Sequence, residues 1–343
     1  MPGKGTARFP HAPPTTELIL EDHMQPPTQH PAKSQPANSH PATSQPANSH
    51  PGSGHAPKPS SPAFDRQALR PDCSNCFALC CTAFGFSRST DFALDKPAGS
   101  PCQNLAPDFS CTIHDSLRPR GFRGCTVFDC FGAGQQVSQG LFGGTSWLED
   151  PGTRQPMFTA FKAARQLHEM LWHLAEAQAR TFDPDAAQQA EQLRSTIEQA
   201  LRGGVGELFS LDVQDLHLRV RALLMDISAE VRASYFAAGD DHLDSALQPG
   251  ADLAGRNLSS RLLCGADLRG AYLIAADLRG SDLSGVDLLG GDLRDARLEG
   301  ADLSEALFLS QPQVNAAKGS RSTRLPVDLD RPAHWLDNER GAR

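Results

Sequence analysis

Between residues 156 and 239 large apolar residues return at steps of three and four. Phe161, Ala164, Leu167, Leu171 and Leu174 form one stripe between Pro156 and about Arg180, the period of an amphipathic helix. Asp183 as N-cap and Pro184 in the first turn open a second helix, with Ala190, Leu193, Ile197 and Leu201 on one face until Gly203 stops it. A third stripe, Val213, Leu216, Val220, Leu223, Ile227 and Val231, predicts a helix ending near Gly239. Stripes of this kind need one another, so residues 156–239 are expected to form a small α-helical region. His168, His173 and His217 lie on or beside these helices without metal-type spacing, and are read as packing or surface residues.

From Ala251 to Ser310 the period becomes five, and the register does not slip through twelve pentads. The third residue of each is Leu, from Leu253 to Leu303, or finally Phe308; the first is Ala in seven and the second is Asp or Asn in eight. A period of five matches neither helix nor flat strand, so each pentad should be one small unit stacked on its neighbours. With pentads such as ADLRG and ADLSE, this segment resembles the pentapeptide-repeat family. The resemblance implies a right-handed quadrilateral β-helix with four pentads per coil, in which the third-position leucines and the small first-position residues face inward. Four pentads per coil would stack Asp267, Asp287 and Leu307 on one face beside Arg269, Leu289 and Leu309, so exposed leucines there predict a packing surface. Residues 311–343 are expected to cap the coil, with a closing helix at Gln311–Ala317 and with Leu325, Val327 and Trp335 over the open end. Cys264, in an outward fourth place, is read as a free surface thiol.

Eight of the nine cysteines fall between Cys73 and Cys130, within an expected module at 63–135. They run C-x2-C-x3-C-C as Cys73, Cys76, Cys80 and Cys81, then Cys102, Cys111, Cys125 and Cys130. A helix over 73–81 would set Cys73, Cys76 and Cys80 on one face, with Cys81 close by. Thiolates in such number suit zinc or iron, the latter including an iron–sulfur cluster. The run CSNCFALCC, with Cys102 before Leu105, Cys111 before Ile113 and Arg118-Pro119, resembles the cysteine-cluster family of zinc- or iron-chelating domains. That resemblance implies a metal site drawn from these eight cysteines; His114 stands where that family usually has Tyr, and Cys125 lies farther beyond Arg118-Pro119 than its pattern sets. Gly132–Gly144, without the spacing of a phosphate-binding loop, is assigned to a turn.

Residues 1–62 hold 14 of the 26 prolines, 6 of the 12 histidines and few large apolar residues, so they are expected to be a disordered tail. A ten-residue unit occurs there twice, SQPANSHPAT and SQPANSHPGS, with His40 and His50 as at most weak metal ligands. No apolar run approaches a membrane span and no secretory leader stands out. Crowded cysteines without that leader lead to a cytoplasmic expectation. The net charge of −8 and pI near 5.8 give no reason to expect nucleic acid or an anionic membrane as partner.

No GxSxG, HExxH or Walker loop occurs. The first functional expectation is therefore a non-enzymatic metal-binding protein whose repeat offers a rigid surface to an unidentified protein partner. An iron–sulfur-dependent modifying or redox enzyme that holds its target on the repeat is the alternative. A DNA mimic acting on a topoisomerase, the precedent within the pentapeptide-repeat family, is a further one. Against it, residues 251–310 carry eight Asp and two Glu but also six Arg, which interrupt an acidic stripe.

Overall fold

The computed structural model describes residues 66–236, 245–261 and 263–337. The Pro-rich tail, its duplicated unit and the expected helix end at Gly239 lie outside the described residues. No helix among the described residues is long and apolar enough to cross a membrane.

The chain passes through short helices α1 (Leu79–Ala83), α2 (Arg123–Val127) and α3 (Ala133–Gln135), the last running into a π-helical turn at Gln136–Leu141. Four helices follow: α4 (Arg154–Arg180), α5 (Pro184–Arg202), α6 (Val205–Ser210) and α7 (Val213–Phe236). Asp183 caps α5 by accepting from the Asp185 amide, Pro184 sits in its first turn, and Gly203 closes it. The α6 helix was not expected; Leu208, its buried residue, joins the same core. The stripe of α4 is buried from Met157 to Ala177 against α5 and α7.

The repeat owes its shape to a division of labour within each pentad. The second-position carboxylate accepts from the backbone amide two residues on, as Asp287 does from Leu289 (2.8 Å) and Asp302 from Ser304 (3.0 Å), a local Asx turn that bends the chain. The fifth position then takes positive φ, which is why Gly stands there at 265, 270, 280, 285, 290 and 300, while Ser260, Ala275 and Asp295 adopt the same strained backbone. The third-position residues from Leu253 to Leu303 and Phe308 are buried, as are first-position Ala266, Ala271, Ala276, Ala296 and Ala301. Parallel bridges join residues twenty apart, Asp252 to Tyr272 and Asp267 to Asp287 among them, so four pentads complete one coil.

The segment after Ser310 continues the coil as well as closing it. Helix α8 (Gln311–Ala316) starts from a Ser310 capping box, and beyond it Lys318 bridges Arg297 and Arg324 bridges Asp302. Trp335, on α9 (Ala333–Asp337), is fully buried and donates to the Ala317 carbonyl at 2.9 Å. Its ring lies where any side chain at Gly319 would stand. Val327 does not cover the end, being 94% exposed, whereas Leu325 packs against the core and Leu329 joins Trp335 within it.

Leu307 and Leu309 are buried, not exposed, because the chain's own helices occupy that face. Trp172 of α4 reaches the Leu309 carbonyl, and Glu176 accepts from the Phe308 amide at 2.9 Å. Farther along, Ser228 of α7 donates to the buried Asp287, and Arg232 pairs with Asp267 at 3.0 Å.

Replacing Leu278, fully buried, with Ala is expected to cost about 2–5 kcal/mol in chemical denaturation, since the narrow interior cannot collapse around the void. Arg279→Ala should cost little, because its pair with Asp277 is exposed to water. Equal small effects at both would overturn the inward register.

Burial pushes the Asp287 carboxyl up to about 6, although Ser228, the Leu289 amide and Arg269 favour its charged form. A group whose folded value is raised binds its proton more tightly in the native state, so its contribution grows as pH falls from about 6 toward 3.8. The stability difference between the unaltered chain and Asp287→Asn should change by on the order of 1–3 kcal/mol across that window. Identical pH slopes in urea titrations of the two would show that Asp287 titrates normally.

Candidate functional site

The cysteine-rich segment has no single helix over 73–81. Cys73–Asn75 is a 3-10 turn whose start is capped by Asp72, Cys76 is extended, and Ala78 takes a left-handed conformation at φ 52°. Only Cys80 and Cys81 are on α1. The break has a tertiary cause: the Phe77 carbonyl accepts from the Trp147 indole at 2.8 Å, and its amide donates to the Ser138 hydroxyl at 3.1 Å. Those contacts hold an extended strut before Leu79, which is fully buried in the main core.

Gly132–Gly144 likewise is not a simple turn, since α3 and its π-helical extension occupy it. Ala133 and Val137 are fully buried in the main core, which makes a helical segment the better packing solution there. Gly134 is needed for a close approach: a Cβ there would stand 2.7 Å from the Cys76 sulfur and 3.8 Å from that of Cys130.

The later cysteines are laid out by loops. Cys102 donates its amide to the Cys81 carbonyl at 3.0 Å, and Leu105 bridges Cys111 in antiparallel fashion. Cys125 is on α2 and donates its amide to Phe122, whose ring packs with Ile113 and Leu117 in a small satellite core that Cys111 flanks. Lys96 ties this part together. Its ammonium is buried and donates to the carbonyls of Thr82, Phe84, Pro97 and Ser100.

All eight clustered cysteines are free thiols. Cys80 and Cys81 have sulfurs 3.8 Å apart. A hydrogen bond from the Cys80 thiol brings Cys81 down to about 7, with Lys96 adding to that, whereas Cys80 is pushed up by the same bond and by burial. Burial pushes Cys125 and Cys130 up to about 12; Cys81, Cys102 and Cys111 then act on Cys125, while Asp129 and Cys76 act on Cys130. Cys73 is raised by burial and by Cys81. Cys264 lies apart in the repeat, pushed up to about 11 by burial and by Asp282. Among the described residues no three His, Cys, Asp or Glu side chains stand at metal-binding distance as a group. The donor chemistry nevertheless fits a thiophilic ion, and the gap at Gly134 brings two of the sulfurs together in one pocket.

Beside the thiols lies a feature that sequence reading missed. A cavity of about 110 Å3 opens between α2, α4, the coil at Gly290–Arg294 and α8. Asp129, next in sequence to Cys130, lines it together with Arg165, Glu169 and His173. Burial raises Asp129 and Glu169 and drives His173 down to about 3, so the imidazole is neutral, and its Nδ1 has no partner. Helical spacing put Glu169 and His173 four apart, but a single glutamate among polar positions carries no signal in sequence. Arg123, bonded to Asp295 at 2.8 Å and to the Ala316 carbonyl at 3.1 Å, fastens α2 to the coil at the cavity's edge.

Gly134→Ala is expected to drive the Cys76 sulfur from its place and destabilise the fold by about 1–3 kcal/mol in thermal melts. Unchanged melting and unchanged reactivity of Cys76 toward a thiol probe would show that the pocket at Gly134 is loose.

The family model described as pentapeptide repeats matches residues 250–290 in eight copies. Among solved structures, the chain is similar to the pentapeptide repeat protein Rfr23 of the cyanobacterium Cyanothece 51142, at 24% identity over 25% of this chain and 69% of that one, with a TM-score of 0.18. A pentapeptide repeat protein of the Arabidopsis thaliana thylakoid lumen is similar at 24% identity over 31% and 82% of the two chains, with a TM-score of 0.17. Over 271 residues, 78% of this chain and 95% of the other, the sequence is 49% identical to the uncharacterized protein YybG of Bacillus subtilis (strain 168). The chain therefore belongs to the same family as YybG and carries a pentapeptide-repeat segment.

Proposed function

We propose that this chain is a non-enzymatic, metal-binding interaction protein of the cytoplasm, in which a thiolate-rich module is seated on a rigid repeat that receives a protein partner. The observation that carries the reading is the gathering of eight free thiols in one module that has little apolar core of its own. A module of this kind gains most from a zinc or iron ion as a staple. Cys73, Cys76, Cys80, Cys81, Cys102, Cys111, Cys125 and Cys130 would hold the metal, which supplies cross-links between loops. The coil is read as the right-handed quadrilateral β-helix of pentapeptide-repeat proteins, a reading supported by its twenty-residue bridge spacing.

With the face of Asp267, Asp287 and Leu307 taken by helices, the surface offered to a partner is the one bearing Asp277, Arg279 and Arg297. Its charges are mixed, and Arg269, Arg279 and Arg294 each pair with the aspartate two residues before. Such in-pentad neutralisation weighs against an acidic stripe mimicking DNA.

The cavity lined by Asp129 supports a second reading, an iron–sulfur-dependent modifying or redox enzyme, because it holds buried ionisable groups one of which, Asp129, directly precedes Cys130. Anaerobic purification with elemental analysis and an absorption spectrum separates the two: colourless protein with zinc supports the first, brown protein with iron and sulfide the second. Metal content is expected to fall sharply in Cys76→Ser and Cys80→Ser and to be unchanged in Cys264→Ser. Unchanged metal in both cluster variants would remove the site assignment.

A further inference from the structure

Resting on that metal-binding reading, we infer that the eight thiols form two separate four-cysteine sites. Cys73, Cys76, Cys80 and Cys130 make the first, and Cys81, Cys102, Cys111 and Cys125 the second, each taking one thiophilic ion such as zinc or ferrous iron.

The partition follows from how the chain is laid out. The turn from Cys73 to Cys76 closes with a Cys76 amide to Cys73 carbonyl bond at 3.4 Å, which keeps these two residues together. Gly134, through its missing side chain, leaves one space shared by the Cys76 and Cys130 sulfurs. Cys80 belongs on that side, since it packs with Cys76 and Cys130 against the main core, whereas Cys111 packs against the satellite of Ile113, Leu117 and Phe122. Cys81, one residue on, is turned by about 100° around the axis of α1. Its carbonyl receives the Cys102 amide, the Leu105 bridge then carries the chain from Cys102 to Cys111, and the Cys125 amide donates to the carbonyl of Phe122, whose satellite core Cys111 flanks.

The sets meet at the Cys80–Cys81 sulfur pair, 3.8 Å apart, and Cys73 also feels Cys81. A separation of 3.8 Å would suit two ligands of one tetrahedral ion as well. Five of the remaining six weigh against that, because the sulfurs of Cys76 and Cys130 both border the space at Gly134 whereas Cys102, Cys111 and Cys125 are held by the loops around Lys96 and Phe122. Four thiolates per ion complete a closed tetrahedral shell, and each set has four.

The test is a titration of the metal-free, reduced full chain with cobalt(II) under anaerobic conditions, read by thiolate-to-metal charge-transfer absorption. Two equivalents per chain are expected in the unaltered protein and in Cys264→Ser. Cys130→Ser should retain one equivalent and Cys111→Ser should retain one, with the double variant retaining none. A single equivalent in the unaltered chain, or loss of all binding in either single variant while the helical circular dichroism persists, would overturn the partition in favour of one shared centre and leave the metal-binding reading standing. No cobalt bound by the unaltered chain would overturn both. Because the stoichiometry of the unaltered chain needs no substitution, the inference is tested even where a variant does not fold.

Discussion

A pentapeptide coil saturates its backbone against the coil before and after it, and so its last turn is left with amides, carbonyls and leucines that nothing in the repeat can meet. Here the segment after Ser310 meets most of them, through Ala316, Lys318 and Arg324, and the last pentad is met by the turn of α4 containing Trp172, His173 and Glu176. Glu176 accepts from Phe308, Trp172 lies against the Leu309 carbonyl, and the His173 ring stands edge-on to Phe308. Arg66 locks this contact from outside. It stacks 4.3 Å from the Trp172 ring, donates to the Trp172 carbonyl and pairs with both Glu176 and Asp328. One buried guanidinium thus joins the start of the cysteine module, the central helix and the segment that closes the coil. Removing it would leave Glu176 buried with its charge uncompensated, a far larger loss than a surface ion pair entails.

The other side of α4 explains why the cysteine module can have so little core. Its apolar residues divide between a three-residue satellite, Ile113, Leu117 and Phe122, and side chains such as Leu79, Phe131 and Val137 that belong to the helical core. The loops between are held by polar means, with Lys96 gathering four carbonyls and Arg118 and Arg123 reaching carbonyls of Asn315 and Ala316 at α8. Loops secured in that way bring thiols near one another without demanding that they touch, a suitable state for a site that an ion completes.

The same economy governs the charges of the coil. Its second-position aspartates serve the turn first, and the arginines two residues later neutralise them where they would otherwise crowd. Asp287, followed two residues on by Leu289, is covered by α7 and held by Ser228, with Arg269 of the neighbouring coil 3.5 Å away.

The amino-acid sequence by itself determined the parts governed by near neighbours. Which pentad positions face inward follows from a leucine every five residues, an Asx turn and a glycine at positive φ, each satisfied within a few residues. The caps of α5 were legible for the same reason, since Asp183 bonds an amide two residues away. What the tertiary structure alone decided involves partners far along the chain. The strut that breaks the expected helix at Ala78 depends on Trp147, seventy residues on, and the covering of Leu309 on Trp172. The surroundings of the individual thiols were not legible, because spacing says which cysteines are near in sequence, whereas the place of each is set only after Gly134, Lys96 and Phe122 have made their contacts with distant segments.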